Sequence, residues 1–143
     1  MRDGTEIIAT ARHWIGTPYC HGASIQGVGC DCLGLIRGLY CDFFGGLPGT
    51  LPPYGTDWAE ASRADLLAHG LQTYLEQKPI ADAEVGDILL FRLKPDGFAR
   101  HAAILSSPDQ MIHAWERSPV CEVSLGRFWR KRLVDVFSFP EKG

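Results

Sequence analysis

Along the chain, apolar residues recur first at helical spacing and later in short runs cut by turn residues. Residues 6–14 place Ile7, Ala11 and Trp14 on one helical stripe, which stops at the breaker Gly16-Thr17-Pro18. A glycine-rich loop over residues 22–29 leads into residues 32–44, which are apolar almost all round. A helix of that kind predicts burial on most sides, and Gly45-Gly46 predicts its end. Residues 47–54 read as a proline-rich surface loop. Residues 58–77 predict a helical region, broken or capped near His69-Gly70.

From Glu84 onward the texture changes. Residues 87–91, 101–105, 110–115, 120–125 and 133–139 are short apolar runs, and residues 94–97 and 107–109 carry strong turn signals between them. Helices come first and an antiparallel sheet second, so the expected class is α+β.

Composition narrows the class without naming a function. The 143 residues, 45% hydrophobic and 22% charged, suit one domain over residues 1–143 with a single core. A net charge of −3 provides no general attraction for nucleic acid, and none is expected as a partner. One local exception is the basic run over residues 127–132, read as a solvated face beside two core aromatics, Phe128 and Trp129. Near the N-terminus no apolar run is long enough for a secretory signal or a membrane span, so a soluble product is expected. Five cysteines, at positions 20, 30, 32, 41 and 121, are an odd number, which argues for reduced thiols rather than a disulfide framework.

Cys32 stands out among those thiols. It opens the most apolar helix, directly after a glycine-rich loop and Asp31. Unpaired N–H groups and the helix dipole favour a thiolate there, with a pKa expected well below about 8.5, and the same N–H groups can hold an oxyanion. His101 and His113 lie in adjacent strand runs joined by a short turn. Their parity predicts that both project from one face, alongside Ala103. A cysteine nucleophile needs a base within hydrogen-bond reach and a third group to orient it, and two histidines on neighbouring strands meet that need.

The residues form a recognisable order. Gly16-Thr17-Pro18-Tyr19, Gly29-Cys30-Asp31-Cys32-Leu33-Gly34-Leu35, Val85-Gly86-Asp87-Ile88-Leu89-Leu90-Phe91, His101-Ala102-Ala103-Ile104 and Ile112-His113-Ala114 together resemble the NlpC-type (NlpC/p60) cell-wall cysteine peptidase family. Asp31-Cys32-Leu33-Gly34-Leu35, Pro52-Pro53-Tyr54 with Asp57-Trp58-Ala59-Glu60, and Phe137-Ser138-Phe139-Pro140 resemble more narrowly the branch encoded with phage tails and gene transfer agents. The resemblance implies a papain-like fold and hydrolysis of amide bonds in peptidoglycan stem peptides. It implies Cys32 as nucleophile, His101 as base and His113 as the orienting residue. Tyr19 would help polarise the substrate carbonyl, and Asp31 would hold the loop or read substrate polarity. No cofactor is implied. Leu33 is a departure, standing where most relatives carry a serine that in some members helps read the free amine of the stem; a shift toward endopeptidase or amidase action follows as an expectation. With no signal of its own, the chain is expected to be made in the bacterial cytoplasm. A phage-like tail or tail-tip protein would then carry it to the periplasm of a target cell, the 127–132 segment being a candidate contact.

Other readings compete. Cys20, His21, Cys30 and Cys32 are suitable zinc ligands in type, but Cys20-His21 are adjacent and Cys30 and Cys32 lack the usual two-residue gap. A catalytically inactive tail component would keep the fold for packing alone, and an acyltransferase would need an apolar acyl channel. Cys30 is the only other thiol read as reactive in type. His21 and Trp115 are read as a solvated loop residue and a core residue, each with cleft lining as the alternative.

Overall fold

The computed structural model describes residues 4–46, 66–94 and 99–140. The proline-rich loop over residues 47–54, the start of the 58–77 helical region and most of the turn over residues 94–97 lie outside the described residues. Among the described residues four helices, α1 (Gly4–Arg12), α2 (Cys32–Phe44), α3 (Leu66–Tyr74) and the short α4 (Arg127–Arg130), accompany eight strands. β1 (Ser24–Ile25) and β2 (Gly29–Cys30) pair as a small hairpin inside the glycine-rich loop. The others, β3 (Glu76–Lys78), β4 (Ile88–Arg92), β5 (Ala99–Ser107), β6 (Gln110–His113), β7 (Cys121–Ser124) and β8 (Leu133–Ser138), form one antiparallel sheet in the order β3-β8-β4-β5-β6-β7. The α+β expectation holds.

Helix α2 begins and ends where its sequence says it should. Asp31 takes an extended conformation as N-cap and accepts from the Gly34 N–H, while Gly45 closes the helix in the left-handed region at φ 79°, its N–H bonded to the Cys41 carbonyl. Leu33, Leu35, Ile36 and Leu39 are all at most 2% exposed, so the helix is central, as its all-round apolar character predicts. Two glycines let it approach its neighbours closely. A Cβ on Gly34 would overlap the Ala23 carbonyl, and one on Gly38 would overlap the Trp14 ring.

The sheet separates two apolar layers. Ile88, Leu90, Ala102, Ile104, Ile112 and Phe137 pack with α1 and α2, whereas Leu89, Phe91, Ala103, Leu105, Met111 and Val136 pack with Leu125 and Trp129. This is the period-two alternation of strands buried on both faces.

Three expectations are corrected. Helix α3 runs through His69-Gly70 without a break, because Leu71, Tyr74 and Leu75 are buried in the core and that burial outweighs the roughly 1 kcal/mol cost of an internal glycine. Residues 76 and 77, expected as the end of the helical region, instead belong to edge strand β3, which pairs with β8. Phe128 is not a core residue. It is 52% exposed, with the Arg132 guanidinium 3.8 Å above its ring.

Candidate active site

Helix α2 and the β5–β6 pair converge on a cleft of about 240 Å³ whose walls include Tyr19, His21, Asp31, Cys32, His101 and Trp115. Cys32 is the first residue of α2 and 8% exposed. The backbone N–H groups of Leu33 and Ala102 point at its sulfur. The second of these donors is the neighbour of His101, so the thiol sits against the strand that carries the imidazole.

Ile104 pairs with Ile112 and Leu105 with Met111, which puts His101 and His113 on one face, as their parity predicts. Across the two strands His101 Nε2 and His113 Nδ1 are 2.8 Å apart, with both residues buried. His101 Nδ1 is then the ring nitrogen left to serve the cleft. Aromatic rings brace the pair. Phe91 lies opposite His101 on β4 and stacks on it at 6.0 Å, and Trp129 stands 5.2 Å from His101 and 5.6 Å from His113.

The electrostatics correct the expected low-pKa thiolate. Burial pushes Cys32 up to about 12; the nearby Asp31 charge adds to that, against the lowering effect of the two backbone donors. Burial also drives His101 well below its usual range, with His113 beside it acting in the same direction. His113 falls to about 4 for the same reason, loss of water. Neither the thiol nor the imidazole charges alone in this site. The Leu33 and Ala102 N–H groups are placed to hold an anion on the sulfur.

Asp31 acts as a loop anchor. Its Oδ1 accepts from Gly34 N and its Oδ2 from Gly22 N, each at 2.7 Å, and its carbonyl accepts from Leu35 N. These bonds fix the loop to the helix start and leave Leu33 N–H free of the cap, turned to the sulfur. His21 Nδ1 lies 3.8 Å from the same carboxylate at the cleft wall, so His21 is a cleft residue rather than a solvated loop histidine. Tyr19 borders the cleft, and burial raises its hydroxyl to about 12, followed by the charges of Cys32, Asp31 and Glu116. It therefore stays a proton donor at neutral pH.

Other cysteines fall away from the chemistry. Cys30 is fully buried and raised to about 12, chiefly by desolvation, while Cys20 and Cys41 are exposed, and all five thiols are unpaired. No three His, Cys, Asp or Glu side chains gather in a metal-binding arrangement among the described residues. Trp115, read as core, is 36% exposed and lines the cleft, its ring 4.8 Å from His101. Trp129 was hidden in a basic segment, and no local pattern marks it as a neighbour of the histidines. Leu33 packs into the core at 2% exposure, so no side-chain hydroxyl takes the place of the missing serine there.

Comparison with known proteins agrees with this geometry. The NlpC/P60 family model matches residues 16–138. Among solved structures, the chain is similar to the NlpC/p60 domain of the peptidoglycan hydrolase SagA, with 25% identity, TM-score 0.65, and coverage of 96% of this chain and 100% of that one. It is also similar to an NLP/P60 lipoprotein-like protein of Staphylococcus aureus, at 22% identity and TM-score 0.64, covering 99% of this chain but spanning only 43% of that protein. RipD of Mycobacterium tuberculosis, described as a non-catalytic NlpC/p60 domain protein adapted to peptidoglycan binding, matches at 15% identity and TM-score 0.57 over 96% of this chain and 98% of its own. No curated protein gives a significant match. With the family model covering most of its length and the papain-like arrangement of helix and sheet in place, the chain belongs to the NlpC/P60 family.

Proposed function

We propose that the protein is a cysteine peptidase that hydrolyses amide bonds in peptidoglycan stem peptides, with Cys32 as nucleophile, His101 as general base and acid, and His113 as the orienting residue. The observation that carries this is the 2.8 Å contact between His101 Nε2 and His113 Nδ1, in a cleft that Cys32 and His101 line together. A family member without catalysis has no need of a buried histidine pair beside a thiol, since each neutral imidazole costs burial of polar atoms.

In this mechanism His101 Nε2–H donates to His113 Nδ1, leaving the Nδ1 lone pair of His101 for the thiol. As the sulfur attacks the scissile carbonyl, the Cys32 proton moves to His101. The low pKa of His113 keeps it neutral, so it still accepts the hydrogen bond of the new imidazolium. Backbone N–H at the start of α2 and the Tyr19 hydroxyl stabilise the oxyanion. The imidazolium then protonates the leaving amine and a thioester remains on Cys32. His101 next takes a proton from water, whose oxygen attacks the thioester, and the proton returns to the departing sulfur.

Two features bear on which bond is cut. Both carboxylate oxygens of Asp31 are engaged by backbone N–H groups, and Leu33 brings no hydroxyl. The site is thus poorly equipped to require a free stem amine, which favours endopeptidase or amidase action on intact wall. Defined stem peptides with a free or an acylated N-terminus test this. Cleavage of both by the wild type and of neither by Cys32→Ser is expected; strict dependence on the free amine would refute the specificity, and equal turnover by Cys32→Ser would refute the mechanism.

Delivery by a phage-like tail to the periplasm of a target cell rests on sequence resemblance in the 31–35, 52–54, 57–60 and 137–140 segments. Mass spectrometry of purified particles checks it: the protein is expected at fixed stoichiometry with tail proteins, and its absence from particles would sink this setting.

A further inference from the structure

Just after His113 the chain leaves β6 and carries two cleft residues that the mechanism does not use. Trp115 and Glu116 both border the candidate cleft. They ride on a turn closed by the Ser118 N–H, which bonds the Trp115 carbonyl at 2.9 Å. Its third residue, Arg117, has φ 67° and is the one non-glycine residue in the left-handed region among those described. A residue with a Cβ adopts that conformation where its surroundings impose it. Here both flanks are fixed. His113 pairs with Cys121 at the end of β6, and the buried Val120 donates its N–H to the Thr17 carbonyl while its own carbonyl accepts from Gly16 N–H, each at 2.8 Å. Thr17 stands two residues before Tyr19, so the same ties hold the turn against the Tyr19 loop. Glu116 is close enough that its charge, after burial and the charges of Cys32 and Asp31, helps to raise the Tyr19 hydroxyl.

The cleft walls carry both signs of charge, with Arg100 and His21 alongside Asp31 and Glu116. Asp31 engages both oxygens with backbone N–H groups. Glu116 is exposed and, among the described residues, makes no hydrogen bond or ion pair. Its charge opposes a thiolate or an oxyanion in the cleft, as it opposes ionisation of Tyr19, and a cation bound beside it relieves that opposition. Trp115, 36% exposed, sets an aromatic surface next to this carboxylate. A methylene stem lies well along such a ring while the ammonium at its end meets the carboxylate, a pattern that suits a long side-chain amine and not a stemless α-amine. We infer that Trp115 and Glu116 form a specificity subsite for the side-chain ammonium of a basic residue in the stem peptide. The choice of a stem peptide as its ligand rests on the peptidase reading above.

Titration calorimetry on the full chain carrying Cys32→Ala tests the subsite by binding, without turnover. The probes are two N-terminally acetylated stem peptides that contain lysine and differ only in whether its ε-amine is free or acetylated. The free-amine peptide is expected to bind about 10-fold tighter, and less so as salt is added. Adding Glu116→Gln should bring it to the affinity of the acetylated peptide, and Trp115→Leu should weaken both peptides about threefold or more. Glu116 is exposed, so its variant keeps the test decisive if Trp115→Leu proves unstable in a thermal melt. A third peptide, with a free N-terminus and an acetylated lysine, separates the two amines: tight binding of that peptide alone overturns the side-chain assignment. Equal binding of the first two peptides, a preference that survives Glu116→Gln, or no binding of either also overturns the proposal. If the preference holds but the wild type leaves every peptide intact, the peptidase reading falls while the subsite stands.

Discussion

His113 Nδ1 lies 2.8 Å from His101 Nε2, across neighbouring strands and away from water. The contact fixes the imidazole by its far nitrogen, and the register Ile104 to Ile112 sets it. Under the proposed mechanism, His101→Ala loses general acid–base help at both steps, and turnover of a stem peptide should fall about 10²–10⁴-fold. His113→Ala should fall less, and His113→Gln or Asn should partly restore it through a side-chain acceptor. Equal losses in His101→Ala, His113→Ala and His113→Gln, with folding intact by circular dichroism, would assign His113 another role.

Coupling between thiol and imidazole has its own test. Because Cys32 is raised and His101 lowered, the thiolate depends on proton transfer to His101. Alkylation of Cys32 by iodoacetamide at neutral pH should slow at least about tenfold in His101→Ala. The exposed Cys20 and Cys41 serve as internal controls and should react unchanged in the same peptide map. Unaltered Cys32 labelling would show that the two groups act separately.

Burial of neutral histidines makes the fold acid-sensitive. The unfolded chain binds protons near pH 6.5, whereas folded His113 resists until about 4 and burial likewise holds His101 well below its usual range. Between those values the unfolded state binds more protons. Stability is therefore full above pH 6.5 and declines as pH falls toward 4, with His113 alone contributing about 3 kcal/mol to the loss. Urea midpoints measured from pH 7.5 to 4.5 should show this decline, and His113→Gln should flatten part of it. A midpoint that is flat over this range in the wild type would contradict the buried neutral pair.

Much of this arrangement was legible in the sequence, for identifiable physical reasons. The limits of α2 were readable because Asp31 and Gly45 are local capping signals, and the shared face of His101 and His113 followed from strand periodicity. Where tertiary packing decides, the pattern was silent. Helix α3 continues through Gly70 because Leu71 is buried, and β3 exists because β8 offers an edge to Glu76–Lys78. The thiol was misjudged because a helix start favours thiolate while the depth of burial, invisible in sequence, opposes it. Trp129 reaches the histidines through the chain's return after β7, which no short window reveals.

That tryptophan yields a further prediction. Trp129 touches Phe91, His101, His113 and Trp115, so it positions the pair without reaching the reacting atoms. Trp129→Ala should destabilise the fold by about 2–4 kcal/mol and lower kcat about 10-fold or more, with KM nearly unchanged. Trp129→Phe should recover most of the rate. A loss confined to KM would place Trp129 in substrate binding instead.

The most direct measurement is liquid chromatography and mass spectrometry of purified peptidoglycan after incubation with wild type and with Cys32→Ala, both shown to be folded. The account predicts new stem-peptide fragments, each gaining one water across an amide bond, with the wild type and none with the variant. Fragments of equal abundance from Cys32→Ala, or none from a folded wild type across walls of differing stem chemistry, would contradict it.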